Sequence, residues 1–302
     1  MPELPDVTVY VESLSARVRG QELLAVRVAS PFVVRTFDPP LGAAAGKRVL
    51  QVRRLGKRIV FELTDGLFLV IHLMISGRFK WLDPGAKIPG KVGLAAFDFA
   101  AGTLLLTEAA SKKRASIHLA RSLEAFRRGG LEPLDASLEQ FEAALRSENH
   151  TLKRALTDPR LFSGIGNAYS DEILHRAQLS PAQLTQKLPA EAAKRLYQAT
   201  REVLVEWTDR LRAEAAGKFP EKVTAFRKEM AVHGKFREPC PVCGTSVQRI
   251  AYADNETNYC PRCQTGGKLL SDRSLSRLLH DDWPRTIEEL EEKFPAPARE
   301  KS

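Results

Sequence analysis

The chain has 302 residues, of which 43% are hydrophobic and 27% are charged, a composition typical of a globular protein with room for two domains. No apolar run approaches the roughly 18 residues that a membrane-spanning helix needs, so we expect no membrane partner. The start lacks a basic segment followed by an apolar one, so we expect no secretion signal and a cytoplasmic, nucleoid-associated location.

The net charge of +9 favours a polyanionic partner, because clustered Lys and Arg release counterions from phosphates on binding. Residues 1–270 carry 40 basic and 29 acidic side chains, whereas residues 271–302 carry 6 and 8. The excess positive charge therefore lies in the body of the chain. A merely well-solvated surface is the alternative interpretation.

The first half of the chain predicts one helix followed by strands. From Asp6 onward apolar residues recur at helical spacing, and Gly20 marks the end of this helix. The period then changes to two, which predicts strands over residues 24–34, 48–54, 58–64, 68–74, 92–99 and 103–107. We expect a mostly antiparallel β-sandwich.

The second half predicts helices. Residues 127–134 contain paired glycines and a proline, which is typical of a linker. Helical spacing follows over residues 138–146, 152–156, 168–177 and 190–215. The fold class is therefore α+β, with a sandwich domain and a helical domain.

All four cysteines fall in two CxxC pairs, Cys240 with Cys243 and Cys260 with Cys263. Two such pairs separated by 16 residues are typical of a tetrahedral zinc ribbon, in which each pair holds one edge of the metal. Four thiolates leave no open position, so we expect one structural Zn²⁺ that stiffens a β-hairpin. Disulfides are the alternative, but no secretion signal supports them.

The segment 162–174 places two glycines directly before a helix that begins near Asn167. Backbone N–H groups at a helix N-terminus can hold a phosphate, so with the preceding helix this segment suits a clamp for the DNA backbone. A packing turn is the alternative interpretation.

The N-terminus offers a second candidate. If Met1 is removed, the chain begins with the secondary amine of Pro2, and an α-amino group has a pKa of roughly 7.7–8. A useful fraction of this amine is unprotonated at neutral pH, so it can act as a nucleophile, with Glu3 beside it for proton transfer. A Met-Pro start without function is the alternative.

Several motifs occur together and in one order. They are Pro2-Glu-Leu-Pro-Asp-Val7, Gly56-Lys57, His72-Leu73-x-x-Ser76-Gly77, Gly130-Leu-Glu-Pro-Leu134, Gly164-Ile-Gly-Asn-Ala-Tyr169 and the cysteine pairs ending at Gln264. Over residues 1–264 the chain resembles the formamidopyrimidine-DNA glycosylase and endonuclease VIII family.

The resemblance implies a bifunctional DNA glycosylase and AP lyase of base-excision repair, which flips an oxidised or ring-opened base out of double-stranded DNA. Pro2 would attack the sugar C1′ and Glu3 would handle proton transfers, with strand cleavage by β- and δ-elimination. Lys57 and Asn167 would grip phosphates around the flipped nucleotide. A solvated strand-start lysine is the other interpretation of Lys57. We expect a monomer.

The resemblance also implies a division of the chain. Residues 1–130 would form the catalytic β-sandwich, 136–232 the helix-two-turn-helix DNA-binding domain, and 233–266 the zinc ribbon. Residues 267–302 would form an extension with predicted helices at 271–279 and 286–294. This extension would either pad the zinc ribbon or bind a partner.

Some positions depart from the family pattern. The arginine of the zinc hairpin is replaced by Asn255, whose contact with phosphate would therefore be uncharged, and Arg249 or Arg262 could substitute for that arginine. The hairpin would also present Thr257 and Asn258 to a ligand. The methionine that fills the gap left by the flipped base aligns with Ile75, with Met74 beside it; a place in the sheet core is the alternative for both.

Two loops also differ. Residues 108–115 lack the Arg and Phe that would contact the orphaned base, although Lys112, Lys113 and Arg114 could hold the opposite strand. Residues 217–229 lack the glycine-rich loop that covers a purine lesion. We therefore expect activity on abasic sites, ring-opened purines or oxidised pyrimidines to exceed that on 8-oxoguanine, with little dependence on the opposite base.

Two rival functions remain. A non-catalytic protein that binds damaged or structured DNA could share this fold, and a zinc-ribbon transcription or RNA-binding factor would leave the N-terminus unexplained.

Overall fold

The computed structural model describes residues 1–221, 223, 227–252, 255–270 and 284–293. The chain divides into two compact units. The first contains residues 1–130 and 204–225, and the second contains residues 131–203 and 226–302.

The first unit opens with helix α1, Leu4–Val18, and continues with two antiparallel sheets. The five-stranded sheet has the order β1-β3-β4-β5-β9 and the four-stranded sheet the order β2-β7-β8-β6. The strands are β1 Glu22–Leu23, β2 Ala25–Val28, β3 Lys47–Leu55, β4 Arg58–Leu63, β5 Leu67–His72, β6 Gly77–Leu82, β7 Gly93–Phe99, β8 Gly102–Glu108 and β9 Ser116–Ala120.

The larger apolar core of this unit takes side chains from both sheets, which confirms the predicted sandwich. Tyr10 of α1 is fully buried in it, with its ring edge-on to Phe79 at a centroid distance of 5.6 Å. The Tyr10 hydroxyl also accepts the backbone N–H of Phe79 at 3.3 Å. Burying each such side chain contributes about 1.5–3 kcal/mol, so α1 holds the N-terminus firmly against the sandwich.

Two strand predictions extend too far along the chain, and some observed strands were not predicted. The strand predicted at 24–34 ends at Val28, because Pro31 cannot donate to a ladder and begins a 3-10 turn over Pro31–Val33. The strand predicted at 68–74 ends at His72, since Met74 adopts a left-handed backbone with φ of 54°. Strands β1, β6 and β9 were not predicted.

The second unit is mostly helical and carries a two-stranded antiparallel hairpin. The predicted ranges 138–146 and 190–215 agree with the observed helices. The elements are α2 Leu138–Arg146, α3 Leu152–Thr157, α4 Asn167–Arg176, α5 Ala190–Ala215, β10 Gln248–Tyr252, β11 Asn255–Tyr259, α6 Pro261–Thr265 and α7 Ile287–Lys293. Helix α5 contributes its first part to this unit and its last part to the first unit.

Helix α7 belongs to the C-terminal extension. Thr286 Oγ1 accepts the N–H of Glu289 at 3.3 Å, which is one half of a capping box. The Glu289 carboxylate accepts the N–H of Arg285 and not that of Thr286. The helix predicted at 271–279 lies outside the described residues. Among the helices that the structure describes, none is long and apolar enough to cross a membrane.

Candidate functional site

The N-terminus lies in a buried environment of the first unit. Pro2 is buried, and Glu3 is only 2% exposed. The backbone N–H of Glu3 donates to Oδ2 of Asp6 at 3.0 Å, which fixes the chain where it enters α1. Any chemistry at Pro2 would therefore start from a fixed backbone.

Burial lowers the pKa of the Met1 amine, and the negative charge of Glu3 opposes this shift. The positive charges of Arg78 and Lys57 lower the same pKa further. A lowered pKa enlarges the neutral, nucleophilic fraction of an amine at neutral pH. The surroundings of the Met1 amine therefore favour its unprotonated form. Lys57 is one of the charged groups that contribute to this effect.

Lys57 lies in the two-residue turn of the β3–β4 hairpin, between the paired residues Leu55 and Arg58. Gly56 takes a φ of 61°, a left-handed conformation that glycine adopts without steric cost. The turn thereby fixes Lys57 at the end of a rigid hairpin.

Met74 and Ile75 form the turn between β5 and β6. Ile75 is 52% exposed, so the sheet-core interpretation is wrong for it. The Met74 sulfur lies 2.6 Å from Nδ1 of His72. Burial, with the nearby charges of Arg58 and Lys57, lowers the pKa of His72 to about 4, so this ring is neutral at physiological pH.

Arg78 braces the same turn and was not singled out from the sequence. Its Nη1 donates to the carbonyls of Ile75 at 3.2 Å and Gly77 at 2.7 Å. The alternation over Gly77–Leu82 was the available signal, since it predicts a strand with Arg78 near its start.

Glu108 organises the basic loop and was also missed as an individual residue. Its carboxylate is 1% exposed and accepts the N–H groups of Arg114 at 2.8 Å and Ala115 at 3.0 Å. Lys113 donates from Nζ to the Glu108 carbonyl, whereas Lys112 and Arg114 are exposed.

Asn167 is the first residue of α4, after Gly164 with φ of 81° and the N-cap Gly166. Its Nδ2 donates to the carbonyl of Glu256 on β11 at 2.9 Å. A carboxamide has two N–H donors, so this bond is compatible with a second contact to a phosphate.

The four cysteine sulfurs lie within 4.8 Å of one another. The Cys243–Cys260 and Cys240–Cys263 pairs are 3.4 Å and 3.9 Å apart, far beyond the ~2.05 Å of a disulfide. A tetrahedral site with Zn–S bonds of about 2.3 Å has sulfurs about 3.8 Å apart, so the donor set fits Zn²⁺. The disulfide alternative is therefore not supported.

The hairpin presents its side chains differently from what the sequence predicted. Thr257 and Asn258 are buried, because β11 packs against α4, so they are not offered to a ligand. Arg249 lies over the Phe236 ring at 4.4 Å and pairs with Glu256 at 3.3 Å.

The two remaining hairpin predictions stay untested. Arg262 lies 3.7 Å from the Glu288 carboxylate and is more than half exposed. Asn255 pairs with Tyr252 in the ladder, and its side chain lies outside the described part of the structure.

Comparison with known proteins assigns this architecture to a class of DNA-repair enzymes. Residues 1–122 match the formamidopyrimidine-DNA glycosylase N-terminal domain, and residues 130–211 match the H2TH domain of the same enzyme. Residues 237–266 match a zinc finger found in FPG and IleRS. The chain belongs to the formamidopyrimidine-DNA glycosylase family, as the sequence motifs predicted.

Similar proteins occur in several bacteria. A formamidopyrimidine-DNA glycosylase of Thermus thermophilus is 34% identical over 279 residues, covering 88% of this chain and 100% of the relative. One of Solibacter usitatus is 32% identical over 275 residues, covering 87% and 99%. An uncharacterized formamidopyrimidine-DNA glycosylase-like protein of Mycobacterium tuberculosis is 40% identical over 151 residues, covering 50% and 93%.

Solved structures of the Lactococcus lactis enzyme share the fold. Its complex with DNA containing an abasic site has a TM-score of 0.76 at 26% identity, covering 87% of this chain and 99% of that chain. Its complex with DNA containing an oxidised pyrimidine has a TM-score of 0.77 at 27% identity, covering 87% and 100%. The α+β fold class is thereby confirmed.

Proposed function

We propose that this protein is a bifunctional DNA glycosylase and AP lyase that uses Pro2 as its nucleophile and acts on damaged bases in double-stranded DNA. The observation that carries the proposal is the buried Pro2–Glu3 terminus. At the adjacent Met1 amine, burial and the charges of Arg78 and Lys57 lower the pKa, and removal of Met1 would place the Pro2 amine beside the same groups. Membership of the glycosylase family supports the same chemistry.

In the proposed reaction the Pro2 nitrogen bonds to the sugar C1′, and the damaged base leaves with its bonding electrons. Glu3 takes the proton that the Pro2 nitrogen loses on bonding to C1′ and passes it to the ring oxygen as the C1′–O bond breaks, which yields an iminium ion. The iminium withdraws electrons and acidifies the C2′ hydrogen. Loss of that proton expels the 3′ phosphate, and a second elimination expels the 5′ phosphate.

Each unit contributes candidate DNA contacts. In the first unit Lys57 would hold a phosphate and Ile75, with Met74, would fill the gap left by the flipped base. Exposed Lys112 and Arg114 would attract the opposite strand, whereas Lys113 is tied to Glu108. In the second unit Asn167 would hold a phosphate. The related L. lactis structures contain damaged DNA, which supports this partner.

The four cysteines would hold one structural Zn²⁺, which stabilises the shape of the hairpin and takes no part in bond breaking. The protein would act as a monomer in the cytoplasm, associated with the nucleoid.

We propose that the protein prefers abasic sites, oxidised pyrimidines and ring-opened purines over 8-oxoguanine. Phe219, in the segment that would otherwise cover a purine, packs at 5.8 Å from Tyr10 and 6.3 Å from Trp81. Arg17 lies 5.5 Å over the same ring, and Val223 is buried. Phe219 and Val223, packed in this way, are poorly placed to cover a flipped base. The exposed Ile75 side chain has no hydrogen-bonding group that could distinguish one base from another. The rate of base removal should therefore depend only weakly on the opposite base.

Single-turnover assays on matched duplexes test the proposal. The duplexes carry an abasic site, an oxidised pyrimidine, a formamidopyrimidine or 8-oxoguanine. We expect base release and strand cleavage leaving phosphates at both ends of the gap, fastest on the first three. Binding without any cleavage would favour the non-catalytic alternative. Fast removal of 8-oxoguanine only opposite cytosine would contradict the substrate preference.

A further inference from the structure

Three buried side chains of the second unit form a charged cluster that the proposed chemistry does not use. Lys153 Nζ lies 2.5 Å from Oδ1 of Asp171, and His233 Nδ1 lies 2.8 Å from Oδ2 of the same carboxylate. The Asp171 side chain is fully buried, and the other two are nearly so. We call Lys153, Asp171 and His233 the α4 trio.

The α4 trio reaches Asn167 directly. Lys153 Nζ also donates to the backbone carbonyl of Asn167 at 2.7 Å. Asn167 and Asp171 are four residues apart on α4, so they share one face of the helix. Lys153 of α3 therefore bridges both residues and fixes the first turn of α4.

The α4 trio also holds the chain that leads into the zinc ribbon. His233 lies seven residues before Cys240, and its imidazole is anchored on Asp171. The next helix residue, Glu172, accepts the backbone N–H groups of Ala231, Val232 and His233 at 2.8, 2.9 and 2.9 Å. Two adjacent carboxylates of α4 thus clamp one short segment.

The ribbon is joined to the same helix at a second point, the bond from Asn167 Nδ2 to the Glu256 carbonyl. Taking a carboxylate and an ammonium out of water costs free energy that only close, well-directed contacts offset. An apolar cluster could fill this space more simply. A buried charged cluster therefore suggests that a defined arrangement is needed here.

We propose that the α4 trio is a positioning element for DNA binding: it fixes Asn167 and the entry segment of the zinc ribbon on one rigid helix. Asn167 then contacts the DNA backbone in a fixed orientation. The hydrogen bond from its amide to the Glu256 carbonyl fixes the position of the hairpin relative to that phosphate contact. This inference rests on the proposed role of Asn167 in holding a phosphate.

A double-mutant cycle on the full-length, zinc-loaded protein tests the inference. Asp171→Asn keeps the shape of the side chain but removes its charge, and Asn167→Ala removes the proposed phosphate contact. The measurement is the Kd for a duplex carrying a tetrahydrofuran abasic analogue. Glu202→Gln is the matched control, because the Arg176–Glu202 pair is exposed and lies in the same unit.

We expect Asp171→Asn to weaken binding about tenfold in the native background, but about twofold or less when Asn167 is already Ala. Glu202→Gln should leave the Kd unchanged. Equal weakening by Asp171→Asn in both backgrounds would overturn the inference, because the cluster would then act on overall stability and not through Asn167.

Asn167→Ala by itself separates the two hypotheses. If this variant binds the duplex as well as the native protein, the proposed phosphate contact fails. If it weakens binding but Asp171→Asn is additive with it, only the positioning role fails. Cleavage of abasic duplex by the native protein tests the proposed function independently of both.

A second variant covers the case in which Asp171→Asn does not fold. His233→Gln removes the imidazole that pairs with Oδ2 of Asp171 and leaves the Lys153–Asp171 pair in place. Zinc content and thermal melting confirm its integrity before the same cycle is run. Non-additivity with Asn167→Ala is again expected, and full additivity would overturn the positioning role.

Discussion

The Ser76 hydroxyl donates a hydrogen bond to the buried Glu108 carboxylate at 3.0 Å. Ser76 belongs to the turn that presents Met74 and Ile75, and Glu108 begins the basic loop at 108–115. One buried carboxylate therefore couples the apolar turn to the basic loop. Two of the candidate DNA-contacting regions of the first unit, the apolar turn and the basic loop, are therefore held by the same carboxylate.

Replacing Glu108 with Ala should lower the free energy of unfolding by about 2–4 kcal/mol, because it leaves the buried N–H of Ala115 and the partly buried N–H of Arg114 without this acceptor. Urea denaturation followed by circular dichroism measures this change. Glu124→Ala is the control, since the Glu124 side chain is largely exposed in its pair with Arg127 and should change stability by about 0.5 kcal/mol or less. Equal effects of the two substitutions would contradict the assigned role of Glu108.

Glu3→Gln should abolish removal of intact damaged bases while leaving duplex affinity nearly unchanged. The amide has a similar shape but cannot donate the proton that opens the sugar ring. Single-turnover base release and the Kd for uncleaved duplex are measured on the same preparation. Parallel losses of binding and excision would indicate that Glu3 is structural.

One zinc ion per chain should bind at Cys240, Cys243, Cys260 and Cys263. Removing it should weaken DNA binding, because the four sulfurs hold the hairpin in shape. Metal analysis of protein purified without chelator, followed by binding before and after chelation, measures both effects. Protein free of zinc that retains full affinity would contradict this expectation.

The extension should stabilise the zinc ribbon. Ile287 is fully buried, and its N–H donates to the Gly267 carbonyl at 2.9 Å, just beyond the ribbon. Ile287→Ala should lower the free energy of local unfolding of this region by about 2–5 kcal/mol and speed the release of zinc to a chelator. Glu291→Ala, at an exposed position of the same helix, is the control. An unchanged rate of zinc release in Ile287→Ala would contradict the claim that the extension stabilises the zinc ribbon.

Periodicity predicted the longer elements of this fold well. The bounds of α2 and α5 agree with the sequence, because their apolar residues repeat over several turns and tertiary contacts do not override them. β6 was missed because it follows directly on the Ser76-Gly77 turn signal, and β9 because its five residues follow the basic run at 112–114.

Spacing along the chain also predicted the cysteine cluster, because all its ligands come from two short local motifs. The α4 trio could not be predicted in this way. Asp171 and His233 are 62 residues apart, and no local pattern pairs a helix carboxylate with a distant imidazole. Only the folded chain brings them together.

Borohydride trapping tests the central claim most directly. The protein is incubated with abasic duplex, reduced, digested and mapped by mass spectrometry. The Pro2 nucleophile predicts mature protein that begins at Pro2 and a sugar remnant on the N-terminal peptide, with trapping strongly reduced in Pro2→Gly. An adduct mapped to a lysine with unchanged trapping in Pro2→Gly, or full lyase activity in protein that retains Met1, would contradict it.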